Sequence, residues 1–278
     1  MITNDTTRPQ VDADRWLRLY ENDCPAPAAA ELPALTAELA EALRHPDPEL
    51  RDGAPYVVLR TWIRRDVIDR PLRARLGSVM AERFADPEIQ ARTFAPLVLD
   101  MIVGRGDLDP AWVDAFRRWY PAETDLRGYD PRLGWLHAVA HGADLLGAFG
   151  LHPDVDPDAM LALAADRLVA PTDQLFAQQE DDRLAQGIAR TLTRPELSEA
   201  DALRWLDVVE ADFAAGRRGA PTTAAHTSNA MRTLRMLYLL ADTGVRPRAA
   251  APAPVRPRHA EALKRRLTEV LAPVFQTA

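Results

Sequence analysis

One cysteine, Cys24, stands in 278 residues, so no disulfide can form within the chain and a cysteine-based zinc site would need other ligand types. This usage fits a reducing compartment, and a cytoplasmic protein is expected. No Gly-rich phosphate loop, nucleophile elbow or Cys-His pair is present, which sets nucleotide hydrolysis and Ser or Cys acyl transfer aside. The opening MITNDTTRPQVDADRW has neither a basic n-region nor an apolar h-region, so no secretory signal is expected. Positive charge is also in deficit. A net charge of −7 argues against a generic nucleic-acid binder, because phosphate contacts need a concentrated basic surface.

Strand patterning is missing too. No convincing alternation of apolar and polar residues appears, and the hairpin dipeptides Asn-Gly and Asp-Gly occur only as Asp52-Gly53, inside a helical pattern. The one long apolar run, residues 133–151, approaches a membrane span in length. His137, His141 and Asp144 would each be costly at bilayer depth and no basic flank orients the run, so it reads as a buried helix and no membrane partner is expected.

What is there is helix. With 47% hydrophobic and 27% charged residues the chain has the composition of a folded globular protein. ELPALTAELAEALRH places Leu32, Leu35, Leu39 and Leu43 at spacings of three and four. Asp-capped openings recur at Asp47, Asp86, Asp130 and Asp181, and again at His226, at spacings of 39, 44, 51 and 45 residues. Second helices lie between them. Two-helix units of this period are the mark of HEAT and armadillo stacks, in which each pair buries its apolar face on its neighbours.

The fold class expected is therefore all-α, a HEAT/armadillo-like right-handed stack of about five helix pairs, with an irregular helical bundle as the alternative. The expected layout is a disordered stretch at 1–13, one helical domain at 14–245, a Pro/Ala/Arg linker at 246–258 and a capping helix at 259–278. Residues 246–266 carry seven Lys or Arg against Glu261 alone; a solvated linker and charged helix start is preferred over an anion-binding tail. The six Trp, at 16, 62, 112, 119, 135 and 205, are expected mostly in the core.

The chemistry concentrates in GWLHAVAHGADLLGAFG, residues 134–150, read as one helix. On a wheel of about 100° per residue His137, His141, Asp144 and Ala148 fall within an arc of roughly 60° on an otherwise apolar cylinder. Unpaired, such groups would cost several kcal/mol together, about 1–3 each, so they face partners or a groove. Three readings stay open: a divalent metal (Zn, Fe or Mn) on His137, His141 and Asp144; a metal-free pocket using His as acid or base; or structural hydrogen bonding. Ala138, where a metalloprotease helix has Glu, excludes that enzyme.

The preceding connection, YPAETDLRGYDPRLGW, is about twelve residues, long for a helix pair. Its Glu123, Asp125 and Tyr129, with Trp135, are candidate ligand contacts, and Arg127 is a candidate for positioning an anionic group. The competing reading pairs Arg127 with Asp125 to fix the turn at Gly128 and leaves Asp130 as a helix cap. His226, with Thr227, Ser228 and Asn229, is read as an N-cap, and QQEDDR at 178–183 as a solvated helix start whose carboxylates could be recruited.

These residues carry a resemblance. E-T-D-L-R-G-Y followed by G-W-L-H-A-V-A-H-G-A-D-L-L resembles the signature of a bacterial family catalogued as domain of unknown function 2785, extending from about DPELRDGAPYVVLRTWI through TSNAMRTLRMLYLLA. The resemblance implies helical architecture and singles out Asp125, Arg127, Gly128, Tyr129, Trp135, His137, His141 and Asp144, without roles. HEAT-like enzymes such as deoxyhypusine hydroxylases and certain DNA glycosylases offer a looser analogy, but the chain has no His-Glu dipeptide and no basic stripe, so neither activity carries over. The function expected is a metal- or small-molecule-binding pocket, with a hydrolase as one form of it. The alternative is a non-catalytic scaffold whose concave face binds another protein.

Overall fold

A computed structural model describes residues 12–216, 223–247 and 251–275. The expected disorder of residues 1–13 therefore falls, except for its last two positions, outside the described residues. Helices α1 (Ala13–Glu21), α2 (Leu32–Ala42) and the short α3 (Pro48–Asp52) lead into α4 (Ala54–Arg64), α5 (Arg70–Glu82), α6 (Ile89–Gly104) and α7 (Pro110–Trp119). A two-stranded pair, β1 (Tyr129–Asp130) and β2 (Gly134–Trp135), precedes α8 (Ala138–Leu151), α9 (Pro157–Val169) and α10 (Glu180–Thr191). The chain continues through α11 (Glu199–Arg204), α12 (Leu206–Gly216), α13 (Ala225–Thr243) and α14 (Ala260–Phe275). Among the described residues the protein is all-α apart from that small hairpin and one isolated bridge, Val245 with Val255.

Aspartate caps set several helix starts. Asp47, Asp69, Asp109 and Asp156 each accept a first-turn backbone N–H, and Pro48, Pro110 and Pro157 follow three of them with φ already suited to the helix. The cap expected at Asp86 acts a turn early: its carboxylate accepts from Glu88 N, and α6 starts at Ile89. The helix read from Asp47 breaks at Gly53 into α3 and α4. Asp130 caps no helix; it lies in β1, and its Oδ1 accepts the N–H groups of Arg132 and Leu133 in the turn. Nor does His226 cap α13, where Ala224 holds that position without a side-chain bond.

One row of helices is continuous: α4, α6, α8, α10 and α13 each lie against the next, while α5, α7, α9, α12 and α14 alternate with them in the chain, with α9 against α8, α10 and α12. Between α8 and α10 the contacts His137 to Glu180, Asp144 to Arg183 and Gly147 to Gly187 advance together, so these two helices run parallel. Their approach is close because both carry glycine there: a Cβ on Gly187 would overlap the Ala143 carbonyl oxygen. The row-one helices start without a side-chain cap, at Gly53, Glu88, His137, Gln179 and Ala224.

The core runs continuously from Trp16 to Leu271. Five of the six Trp are buried, and Trp135 alone is exposed, at 44%. Two buried arginines tie helix ends through carbonyls: Arg194 donates to those of Gly150 and His152 at the end of α8, and Arg167 to those of Tyr120 and Glu123 where the loop leaves α7. Within the basic segment at 246–266, Arg256 and Lys264 pair with Asp242 and Glu261, and Arg266 with Asp207 and Glu210.

Candidate functional site

The stretch read as a single helix from residue 134 is a hairpin followed by a helix. β1 and β2 pair antiparallel, Tyr129 opposite Trp135 and Asp130 opposite Gly134, with Gly134 at φ +69°. The ladder continues irregularly: Leu136 N donates to Gly128 O at 2.9 Å and His137 N to Arg127 O at 3.2 Å. These bonds hold His137 in a left-handed conformation (φ 54°, ψ 41°), and α8 begins only at Ala138. From α3, the fully buried Arg51 supports the hairpin, donating to the carbonyls of Leu133 and Trp135 with its guanidinium over Phe94.

Arg127 is committed within its own loop. Its Nε and Nη2 meet the two Asp125 oxygens at 2.8 and 2.6 Å, and its Nη1 meets Asp130 Oδ2. The Arg127 guanidinium holds the Asp125 carboxyl below the usual range, and the N–H groups of Leu133 and Arg132 do the same for Asp130. The geometry thus follows the turn-fixing reading of Arg127 and leaves no free fork for an anion. Glu123 is equally engaged, buried and accepting from Arg92, Trp119 and the N–H groups of Thr124 and Asp125. It lines a groove of about 590 Å³ with Phe84, Arg118 and Trp119, and neither histidine lines that groove.

His137 meets Glu180, the first residue of α10 and only 1% exposed. Nδ1 lies 3.4 Å from Oε1, and neither atom completes a hydrogen bond. Glu180 follows a second left-handed residue, Gln179 (φ 65°, ψ 22°), and its Oε2 accepts from Gln178 N at 2.7 Å. Burial alone would raise the Glu180 carboxyl; His137 and the backbone N–H of Gln178 outweigh it and leave the group below the ordinary range. Gly128 lies directly over this carboxylate, where a Cβ would overlap Oε1. Each residue of Arg127-Gly128-Tyr129 thereby has a physical task.

His141, 7% exposed, has its Nδ1 2.9 Å from Thr93 O. A carbonyl only accepts, so Nδ1 carries the hydrogen and Nε2 presents a lone pair. Burial, followed by His137 and the cations Arg183 and Arg51, pushes the imidazole down to about 3, so it stays neutral. Rings then run outward without a break: Phe94 edge-on to His141 at 5.8 Å, His141 to His137 at 5.5 Å, His137 stacked on Trp135 at 4.7 Å and 4°, and Trp135 to Tyr129 at 5.0 Å. Nε2 of neither histidine is hydrogen-bonded among the described residues, nor is either atom sealed from solvent.

Asp144 turns to α10, where both its oxygens meet Arg183, with Arg190 Nη1 at 4.0 Å. Next to this pair, burial and the Asp144 charge push Asp100 up to about 7 against Arg190 and Arg183. Among the described residues no three His, Cys, Asp or Glu side chains group to hold an ion, so nothing here supports the metal reading of His137, His141 and Asp144. The wheel placed the three on one stripe, but His137 lies outside the helix and Asp144 is held by Arg183. Sequence reasoning missed Thr93, Arg51 and Asp100, and reached Glu180 only as one of the QQEDDR carboxylates that could be recruited. Only Asp100, a lone carboxylate in PLVLDMIV, gave a signal, since the others act through contacts distant in sequence. His226 lies elsewhere, 3.4 Å from Asp212, while the buried Asn229 ties Phe176 N and Gln174 O to α13.

No helix among the described residues is long and apolar enough to cross a membrane. Fold and site together define an all-helical protein with an imidazole–carboxylate pair under an exposed aromatic hairpin. The model of a family described as protein of unknown function, DUF2785, matches residues 80–239, which takes in both histidines, the Arg-Gly-Tyr loop and Glu180; the chain belongs to that family. No curated protein and no solved structure matches it.

Proposed function

We propose that the chain is a HEAT-like stack whose α8–α10 end binds a small molecule, and that His137 with Glu180 moves a proton to or from it. The observation that carries this reading is the pair of left-handed, non-glycine residues, His137 and Gln179, at the starts of adjoining helices. Such conformations cost of order 1–3 kcal/mol each and cluster at functional sites. Here they bring a buried carboxylate to an imidazole whose other nitrogen reaches solvent. Packing alone would favour glycine or asparagine at both positions.

With Glu180 facing Nδ1, that nitrogen keeps the hydrogen and Nε2 is the base. Proton uptake there makes an imidazolium that the carboxylate stabilises. A pair of this kind, without a nucleophile beside it, suits hydrolysis by a water molecule deprotonated at Nε2. Arg127 takes no part in anion binding, and its role is to hold the loop.

A small-molecule library read by thermal shift and Trp135 emission tests the reading. A true ligand at about 100 times its Kd stabilises the wild type by about 2.7 kcal/mol. That shift should vanish in His137→Ala and weaken in Glu180→Gln. Should no compound of any class move the wild-type protein, the site reading fails and the scaffold alternative takes its place.

A further inference from the structure

The groove beside Glu123 carries charge that the fold does not use. About 590 Å³ in volume, it falls within the range of small-molecule sites. Its four charged side chains are of two kinds. Arg92 and Glu123 satisfy one another: Arg92 Nε and Nη2 meet the two carboxylate oxygens at 2.6 and 3.2 Å, Nη1 donates to the carbonyls of Asp86 and Pro87, and Trp119 Nε1 donates to Glu123 at 2.8 Å. Glu82 and Arg118 line the same groove, yet neither makes an ion pair or hydrogen bond among the described residues. Arg118 also borders Asp114 and Asp166 in the next groove and pairs with neither. Glu82 is the last residue of α5, where the helix's own partial negative charge opposes a carboxylate, so α5 gains nothing from it.

The rest of the lining is apolar and mostly small. Ala81, Ala85, Ala115 and Ala122 leave space that longer side chains would fill, beside the stacked rings of Phe84 and Trp119, whose centroids lie 4.7 Å apart. An apolar hollow with one unpaired cation and one unpaired carboxylate on its walls complements a molecule that carries both charges and an apolar body. We propose that this groove binds a small zwitterion of amino-acid type, its carboxylate on Arg118, its ammonium on Glu82 and its apolar body against the alanines. The site stands apart from the His137–Glu180 reading and does not depend on it, because neither histidine lines the groove.

Saturation-transfer NMR titrations of the full chain test this with four probes of one chain length. L-Norleucine and 6-aminohexanoate carry both charges at different spacings, while hexanoate and hexylammonium carry one each. At least one zwitterion should bind, and each single-charge probe should bind about fivefold more weakly than it or worse, the worth of one exposed ion pair. Glu82→Gln and Arg118→Gln, both at exposed positions where the fold should tolerate them, should weaken the zwitterion by a similar factor. Glu82→Gln should leave hexanoate binding unchanged, and Ala115→Leu, which fills the hollow, should abolish binding of every probe. Hexanoate or hexylammonium binding as tightly as the zwitterions overturns the inference. So does zwitterion binding that survives in Ala115→Leu or in both glutamine variants, which would place it elsewhere on the chain, and so does a failure of all four probes to bind.

Discussion

Gly128 covers Glu180 so closely that a Cβ at position 128 would overlap Oε1 and crowd Gln178 Cγ at 2.7 Å. The Arg-Gly-Tyr turn is thus the lid of a carboxylate 52 residues further along the chain (180 − 128), and the glycine is required by contact rather than by backbone angle. Gly128→Ala is expected to cost about 1–3 kcal/mol, the usual range for overpacking, and to push Glu180 away from His137. Urea denaturation of the variant measures the first effect. An unchanged midpoint would mean that the loop shifts freely and does not pin the pair.

A harsher substitution lies further down the same seam between α8 and α10. Gly187→Ala would place its methyl against the Ala143 carbonyl oxygen, a backbone atom of α8 that cannot rotate aside. The two helices must separate or tilt, and a loss of about 2–4 kcal/mol is expected, above that at Gly128. Gly216, where a Cβ would meet no described residue within 4 Å, is the control: Gly216→Ala should be neutral or slightly stabilising. Equal losses at 187 and 216 would refute close α8–α10 packing.

The legible parts of this chain were those that act over a few residues. Asp-Pro caps, leucine spacing and the grouping of His137 with His141 come from local periodicity, and the rings do lie 5.5 Å apart. The hairpin was not legible, because strands of two residues leave no alternation to detect and nothing in Leu136-His137-Ala138 announces a left-handed residue. QQEDDR reads as a solvated charge run, yet Glu180 within it is almost fully buried, since a loop from another helix pair closes over it. Asp144 lost its place as a ligand to Arg183 for the same reason: the partner comes from a different pair.

Asp100 predicts a stabilising substitution. Its carboxyl, pushed up to about 7 by burial and by Asp144, keeps a proton in the folded chain that the unfolded chain has released above about pH 4. Its contribution to stability is therefore present in acid and lost as pH rises through about 7. Asp100→Asn removes the buried charge while keeping the shape, so at pH 8 the variant should be the more stable by about 1–3 kcal/mol, with the advantage shrinking by pH 5. Thermal denaturation at the two pH values decides it, and a variant less stable than wild type at pH 8 would place a partner on Asp100.

His141 pulls in the opposite direction. Its imidazole is held down to about 3 in the fold, against about 6.5 in an unfolded chain, so between those values the unfolded state binds a proton that the folded state refuses. Stability from this residue is complete above about pH 6.5 and drains away as pH falls toward 3, with a limiting slope of about 1.4 kcal/mol per pH unit. Glu180, also held below its ordinary range, adds to the loss only below about pH 4.3, so the window from 5 to 6.5 isolates the imidazole from it. His141→Gln should flatten the acid limb there relative to wild type. Nitrogen-15 NMR gives the direct readout: His141 should keep its hydrogen on Nδ1, facing Thr93 O, from pH 8 down to pH 5. An imidazole that titrates near 6.5 would show that the ring swings out to water and leaves Thr93 O.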